Sequence, residues 1–237
     1  MPAFWNVFRN QIVISLTKLL INFPAPIILA LLINEIRQKK LKRFFQTTYT
    51  FPHFLSWIVV AGITIGFMSD QGVVNQILYI FGAPKHKILY NGDQFRILLY
   101  LTELWKGAGW NSILYLATLS QINPELYEAA NIDGASRWQQ MRFITLPGIA
   151  PVAAVLLVLS AGYILSGGFD QIINLYNSMV YDKVDIIDTY VYRTAIQEGK
   201  SNFSFAAAIG LFKSVINISM LLIVNQAVKL MGQEGII

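Results

Sequence analysis

Residues 128–147 read EAANIDGASRWQQMRFITLP, a polar interruption between two long apolar runs. Just upstream, Asn123 is placed to cap a helix that opens on Pro124, where a missing N–H costs nothing, and Glu125 and Glu128 suit the positive end of such a helix. Gly134, next to Asp133, tolerates the left-handed conformation that often ends a helix, so the first helix is predicted to stop there. Ser136, with Gln139 three residues on, reads as a capping box, so a second helix starts almost at once and carries Trp138 and Met141 toward Leu146. Two short helices thus meet at a glycine hinge. Ala129 and Ala130 keep one face shallow enough for another surface to approach, and Glu128 offers a carboxylate to an arginine or lysine on that surface.

Outward from this stretch, the composition is that of a membrane protein. Apolar residues make up 55% of the chain and charged residues 13%, with the apolar ones gathered in runs of about 20, the length that spans a bilayer as a helix. The net charge of +5 bears on topology and not on nucleic acid, because no basic patch is interleaved with aromatics. The absence of cysteine excludes disulfides, Fe–S clusters and thiol catalysis. The first apolar run continues too far, and without a small-residue cleavage site, to read as a cleavable signal.

Taken in order, the runs predict an all-α protein with five transmembrane helices over 10–34, 50–68, 96–122, 147–167 and 205–228, a connecting loop over 123–147, and a single domain over 1–237. Pro24 and Pro26 should bend the first helix. The short loop EIRQKKLKRFF after it carries Arg37, Lys39, Lys40, Lys42 and Arg43, which makes it cytoplasmic by the positive-inside rule. The chain then alternates, so that 123–147 and the C-terminus are cytoplasmic and the N-terminus external. VVNQILYIFGAP reads as a short helix lying on the outer surface, ended by Gly82 and Pro84. The external stretch 168–202 is too long for a bare loop, and Asp188 followed by TYVYRTAIQ suggests a further short helix.

Ionisable residues inside these spans need partners, water or a cavity, since a charge at the bilayer centre costs roughly 2.5–3.5 kcal/mol on insertion scales. Glu103 and Lys106 are three apart and share a helical face, either as a mutual ion pair or as part of a pathway; Trp110, two turns past Glu103, adds an aromatic plate. Lys18 and Lys213 also interrupt apolar helices, Lys18 needing a carboxylate or carbonyl in the assembled complex. His53 and His86 have neither HExxH spacing nor a cysteine partner, so no metal site and no catalytic residue is expected. The chain also lacks G-x-x-x-x-G-K-[ST], and so has no ATP site of its own.

The spacing Glu128-Ala129-Ala130, three residues, Gly134, nine residues, Ile144, one residue, Leu146-Pro147 resembles the EAA loop of permease subunits in binding-protein-dependent ABC importers. The resemblance extends through LTELWKGAGWNSILYLATLSQINPELYEAANIDGA, GGFDQIINLYN, IDTYVYRTAI and FSFAAAIGLFKSVINISMLLIVNQ to the carbohydrate-uptake branch, most of all to oligosaccharide permeases of the LplB type. It implies a type I importer permease fold, which usually has six helices, so that one helix in front of those seen here is expected. In the family this loop forms coupling helices that dock on the ATP-binding subunit, which implies coupling roles for Glu128, Ala129, Ala130, Asp133, Gly134, Ile144, Leu146 and Pro147. It also implies two ATP-binding subunits that use ATP and magnesium, no cofactor on this chain, a second permease, an extracellular solute-binding protein and a place in the cell membrane.

Overlay of a maltose-type permease, anchored on Leu146-Pro147 and the proline of the second run, puts its sugar contacts near His53, Glu103, Lys106, Trp110, Tyr163 and Gly167, with a match in position more than in residue type. The implied function is ATP-driven import of a sugar, an oligosaccharide, by alternating access. The alternatives are a permease of the same superfamily with another cargo, such as a polyamine or phosphate, and a structural or enzymatic membrane subunit.

Overall fold

Helices follow the apolar runs, and prolines and glycines decide where they break. The computed structural model describes residues 2–197, 203–233, 235 and 236, and among them every regular element is helical. The first run does not start at residue 10. It forms α1 (Pro2–Asn22) and α2 (Pro24–Asn34), because nothing before Asn10 breaks the helix and Phe4 and Phe8, one turn apart, both pack their rings against Phe212. The break falls at Phe23, where Pro24 lacks the N–H that would continue the ladder.

The basic stretch expected as a loop is instead α3 (Lys39–Thr50), since it contains good helix formers and no glycine or proline until Pro52. As a result the second span starts later than residue 50. A 3₁₀ turn, Phe51–Phe54, separates α3 from α4 (Trp57–Met68), whose first turn is capped by Ser56 Oγ accepting from Val59 N at 3.3 Å. The short helix expected after it is α5 (Val73–Ile80), ended at Gly82 with φ +74°.

Asn91 caps α6 (Gly92–Leu119), the long helix on which the others converge. Then come α7 (Pro124–Ile132) and α8 (Arg137–Gln140), which runs through a π-helical turn, Met141–Thr145, into α9 (Leu146–Gly162). This helix stops at Gly162, short of the expected residue 167, as the chain turns; Leu165 N donates to Asn217 Oδ1 at 3.1 Å. Left-handed Gly168, φ +102°, then opens α10 (Phe169–Leu175), followed by α11 (Tyr181–Val184), α12 (Ile187–Val191), a π-helical turn Tyr192–Gln197, and α13 (Phe203–Leu230). The rest of the expected external stretch, 198–202, lies outside the described residues.

Among the described residues, four helical stretches are long and apolar enough to cross a bilayer, Phe4–Asn34, Trp57–Ile80, Arg137–Gly162 and Phe203–Leu230, where five were expected. The fifth candidate, α6, has the length at 28 residues but is diluted by Asp93, Arg96, Glu103 and Lys106. Burial runs opposite to that of a water-soluble domain: only 6% of the most apolar part of α13 is covered, and Leu211, Val215, Ile218 and Ile223 face outward.

Packing centres on α6. One cluster joins Ala30, Tyr115, Leu119 and Ile149, seating α2 and α9 against its C-terminal half. Another joins Ile14, Phe95, Leu98 and Leu99 to Ile172, Leu175, Val180, Val184 and Ile186, so α10 and α11 close over its N-terminal half. The α3–α6 contact depends on Gly109, where any Cβ would collide with the Tyr49 carbonyl. α9 and α13 meet through Ala154, Val158 and Val228. In the α10–α12 region Asp185 accepts from Arg193 at 2.5 Å and from Thr189 at 2.7 Å, and the Arg193 guanidinium lies 4.3 Å from the Tyr181 ring centre. Burial there, with Tyr181 and Asp185 close by, pushes the Tyr176 phenol up to about 12.

Candidate functional site

Two clefts meet in the middle of the bundle, and Asn22, Glu103 and Asn111 line both. The smaller, ≈ 270 Å³, runs between α1, α6 and α9 and includes Lys18, Ser160, Tyr163 and Gly167. The larger, ≈ 730 Å³, runs between α4, α6 and α10 and includes His53, Trp57, Lys106, Asp170 and Asn174. Of the six residues expected along a substrate pathway, the structure therefore places Glu103, Tyr163 and Gly167 in one cleft and His53, Glu103 and Lys106 in the other. Trp110 lines neither. Its ring stacks on His53, with centroids 4.4 Å apart and planes 4° from parallel, and so backs the wall of the larger cleft.

Glu103 and Lys106 are not paired with each other. Glu103 accepts from Lys18 Nζ at 2.5 Å, and the same ammonium donates to Gln171 Oε1 at 2.5 Å. Gln171 in turn donates to the Leu99 carbonyl at 2.7 Å and to Thr102 Oγ1 at 2.8 Å, so one buried network ties α1, α6 and α10. The partners that Lys18 was expected to find in the assembled complex are thus within its own chain. Lys106 Nζ donates to the His53 carbonyl at 2.6 Å and sits 5.5 Å from the Trp57 ring centre. Lys213, the other cation in an apolar helix, pairs with Asp188 at 2.5 Å.

Sequence reasoning missed Asn22, Asn111, Asp170, Asn174 and Gln171. A signal existed for two of them: Asn22 lies one turn beyond Lys18, and Asn111 lies two turns beyond Glu103, each on a face already marked by a charge. Asn22 Oδ1 is buried without a hydrogen-bond partner, an orphan acceptor at the place where the clefts join.

The other candidate surface is the helix pair α7 and α8. Its backbone is satisfied locally. Asn123 Oδ1 accepts from Glu125 N at 3.0 Å, Gly134 takes φ +76°, and Ser136 and Gln139 complete a reciprocal capping box, with Ser136 N donating to Gln139 Oε1 at 2.7 Å. Buried Gln140 donates to Asn131 Oδ1 at 2.7 Å and to the Ala135 carbonyl at 3.1 Å, and Tyr127 and Thr145 hydroxyls bond at 3.0 Å, fixing one helix against the other. The side chains, by contrast, are left uncovered. No residue of α7 is buried; Glu128, Ala129, Asp133, Gly134, Leu146 and Pro147 are exposed, Ala130 and Ile144 are half-buried, and Ile132 is 86% exposed.

These features can be set beside known proteins. The chain is 40% identical over 236 residues to the polygalacturonan/rhamnogalacturonan transport system permease protein YteP of Bacillus subtilis (strain 168), covering 99% of this chain and 73% of that protein. It is 41% identical to Protein LplB of the same organism, covering 99% and 74%. Among solved structures, a chain of a bacterial ABC transporter involved in the import of the acidic polysaccharide alginate superposes with a TM-score of 0.93 at 40% identity, covering 97% of this chain and 80% of that one. A chain of the bacterial alginate ABC transporter in complex with an alginate pentasaccharide-bound periplasmic protein gives 0.95 at 40% identity, covering 100% and 82%. The similar proteins named here are transport components rather than enzymes, and their named cargoes are carbohydrates. Matched over residues 22–232 by the model of that family, the chain belongs to the binding-protein-dependent transport system inner membrane components.

Proposed function

We propose that this chain is the permease subunit of an ATP-driven importer that moves an oligosaccharide across the cell membrane by alternating access. The observation that carries the reading is the likeness over nearly the whole chain to subunits of a carbohydrate importer, at 40% identity and a TM-score of 0.93. In this reading α6 is a fifth crossing, its charges turned to the clefts and not to lipid. The helix pair α7 and α8 faces the cytoplasm, with Arg37 of the basic stretch lining a cleft with Tyr127, Arg137 and Gln140.

Two ATP-binding subunits would dock on that pair, using ATP and magnesium, with Glu128 offered to a basic residue and Ala129, Ala130 and Gly134 allowing close approach. Their closure would push α8, and through the π-helical turn past Ile144, Leu146 and Pro147 would move α9. A second permease would complete the pathway lined by His53, Glu103, Lys106, Tyr163 and Gly167, with Trp110 behind it, and an extracellular binding protein would deliver cargo.

The test is uptake of labelled oligosaccharide by proteoliposomes holding the complete complex, with binding protein on one side and ATP on the side of residues 124–147. Glu128→Ala is expected to lower uptake about tenfold, the effect of roughly 1.4 kcal/mol in coupling. Glu103→Gln with Trp110→Ala should also impair it; glutamine is chosen because alanine would strand Lys18. Normal uptake by an assembled Glu128→Ala complex defeats the coupling role, and normal uptake by the assembled double variant defeats the pathway.

A further inference from the structure

Where the two clefts join, the charges are not equivalent. Lys18 and Glu103 neutralise each other at 2.5 Å. Lys106 lies one turn beyond Glu103 on α6 but meets no carboxylate among the described residues. Its ammonium gives one of its three donors to the His53 carbonyl and rests 5.5 Å from the Trp57 ring centre; Glu103, already held by Lys18, acts on it through space without an ion pair, and two donors remain. A cation inside a membrane bundle in that condition is poised for an anion from elsewhere.

The surroundings define which anion fits. The ≈ 730 Å³ cleft is walled by Trp57 and by His53, itself backed by Trp110, and it carries amide and carboxylate groups, Asn22, Asn111, Asn174 and Asp170, suited to hydroxyls. Apolar ring faces, hydroxyl partners and one ammonium without an ion-pair partner among the described residues match a sugar that bears a carboxylate. Asp170, on α10, also lacks an ion-pair partner among the described residues and would repel a negative group placed beside it.

We infer that Lys106 is a specificity-determining residue that receives the carboxylate of a uronic-acid-containing oligosaccharide during translocation. This rests on the sugar-importer reading above. The probes that separate the two are tetragalacturonate and its full methyl ester, which has the same length and hydroxyls without the charge, offered to proteoliposomes of the complete complex. Expressing each variant's acid-to-ester uptake ratio relative to wild type removes the binding protein's own preference.

Lys106→Gln is expected to lower the ratio about 10- to 100-fold, Lys106→Arg to keep most of it, and Asp170→Asn to raise it. A Lys106→Gln complex that keeps the wild-type ratio, or that loses acid and ester uptake in equal measure, overturns the inference while leaving sugar import standing. A wild-type complex that imports neither these nor any other oligosaccharide overturns the importer reading itself.

Discussion

Two groups of short helices interrupt the long ones, α7 with α8 on one side of α9 and α10–α12 on the other, and they are finished in opposite ways. Both use the same local grammar, each with a left-handed glycine, Gly134 or Gly168, at a helix boundary. In the α10–α12 group Ile172, Val184, Ile186 and Ile187 are fully buried, and the polar Gln171, Asp185 and Thr189 are buried with them and hydrogen-bonded. In α7 nothing is buried, although every cap is made. The difference teaches how to tell a finished interior from an uncovered surface: backbone satisfaction is local and occurs in both, while side-chain burial needs a second body, and among the described residues none buries a side chain of α7. Under the proposed coupling role, a pair of helices held in shape by Gln140 and Thr145 would transmit a push without first having to fold.

Substitutions should break this contrast on the α10–α12 side and sharpen it on the other. The largest effect is expected from Asp185→Ala, which leaves Arg193 without its carboxylate in a part-buried site; thermal unfolding in nanodiscs should show a loss of about 3 kcal/mol. An unchanged melting point would mean that the pair does not hold that group together. Next comes Gly134→Val, costing about 1–2 kcal/mol through backbone strain alone, since no heavy atom lies within 4 Å of the added Cβ; Gly134→Asn should cost less because asparagine enters the left-handed region more readily. Equal losses for the two would rule out the backbone as the cause.

Gln140→Ala, which removes the link from α8 to Asn131 and Ala135, should cost roughly 1 kcal/mol and be visible as faster amide exchange in α7, with α10–α12 unaffected. The smallest effect on the isolated chain belongs to Ile132→Ser, within about 0.5 kcal/mol of wild type, because that side chain is already 86% exposed. If α7 is a docking face, the same variant should still weaken co-purification with the ATP-binding subunits; intact co-purification would place the contact elsewhere.

The helix pair was legible almost residue by residue, because caps and left-handed glycines act over three or four positions and need no distant partner. The long apolar runs were legible from composition along the chain, though their ends shift where the expected charged loop is the helix α3: a dense run of lysines marks a membrane face without saying whether its backbone is helical. The cleft was legible only in part. Glu103 and Lys106 announced themselves as charges among apolar residues, and their spacing leaves open a mutual pair, which the folded chain does not make, or a place on a pathway.

Sequence alone determined the helical class, the membrane character, the hinge at Gly134 and the family to which the chain is similar, since each is written in contiguous stretches, from a few residues to about 20, that need no distant partner. Tertiary structure alone decided that Glu103 pairs with Lys18, 85 positions away, and is braced through Gln171, leaving Lys106 without an ion-pair partner among the described residues. The reason is physical: a long side chain can reach several neighbours, and which ammonium satisfies a buried carboxylate depends on how α1, α6 and α10 pack, a three-body arrangement that no spacing along the chain encodes.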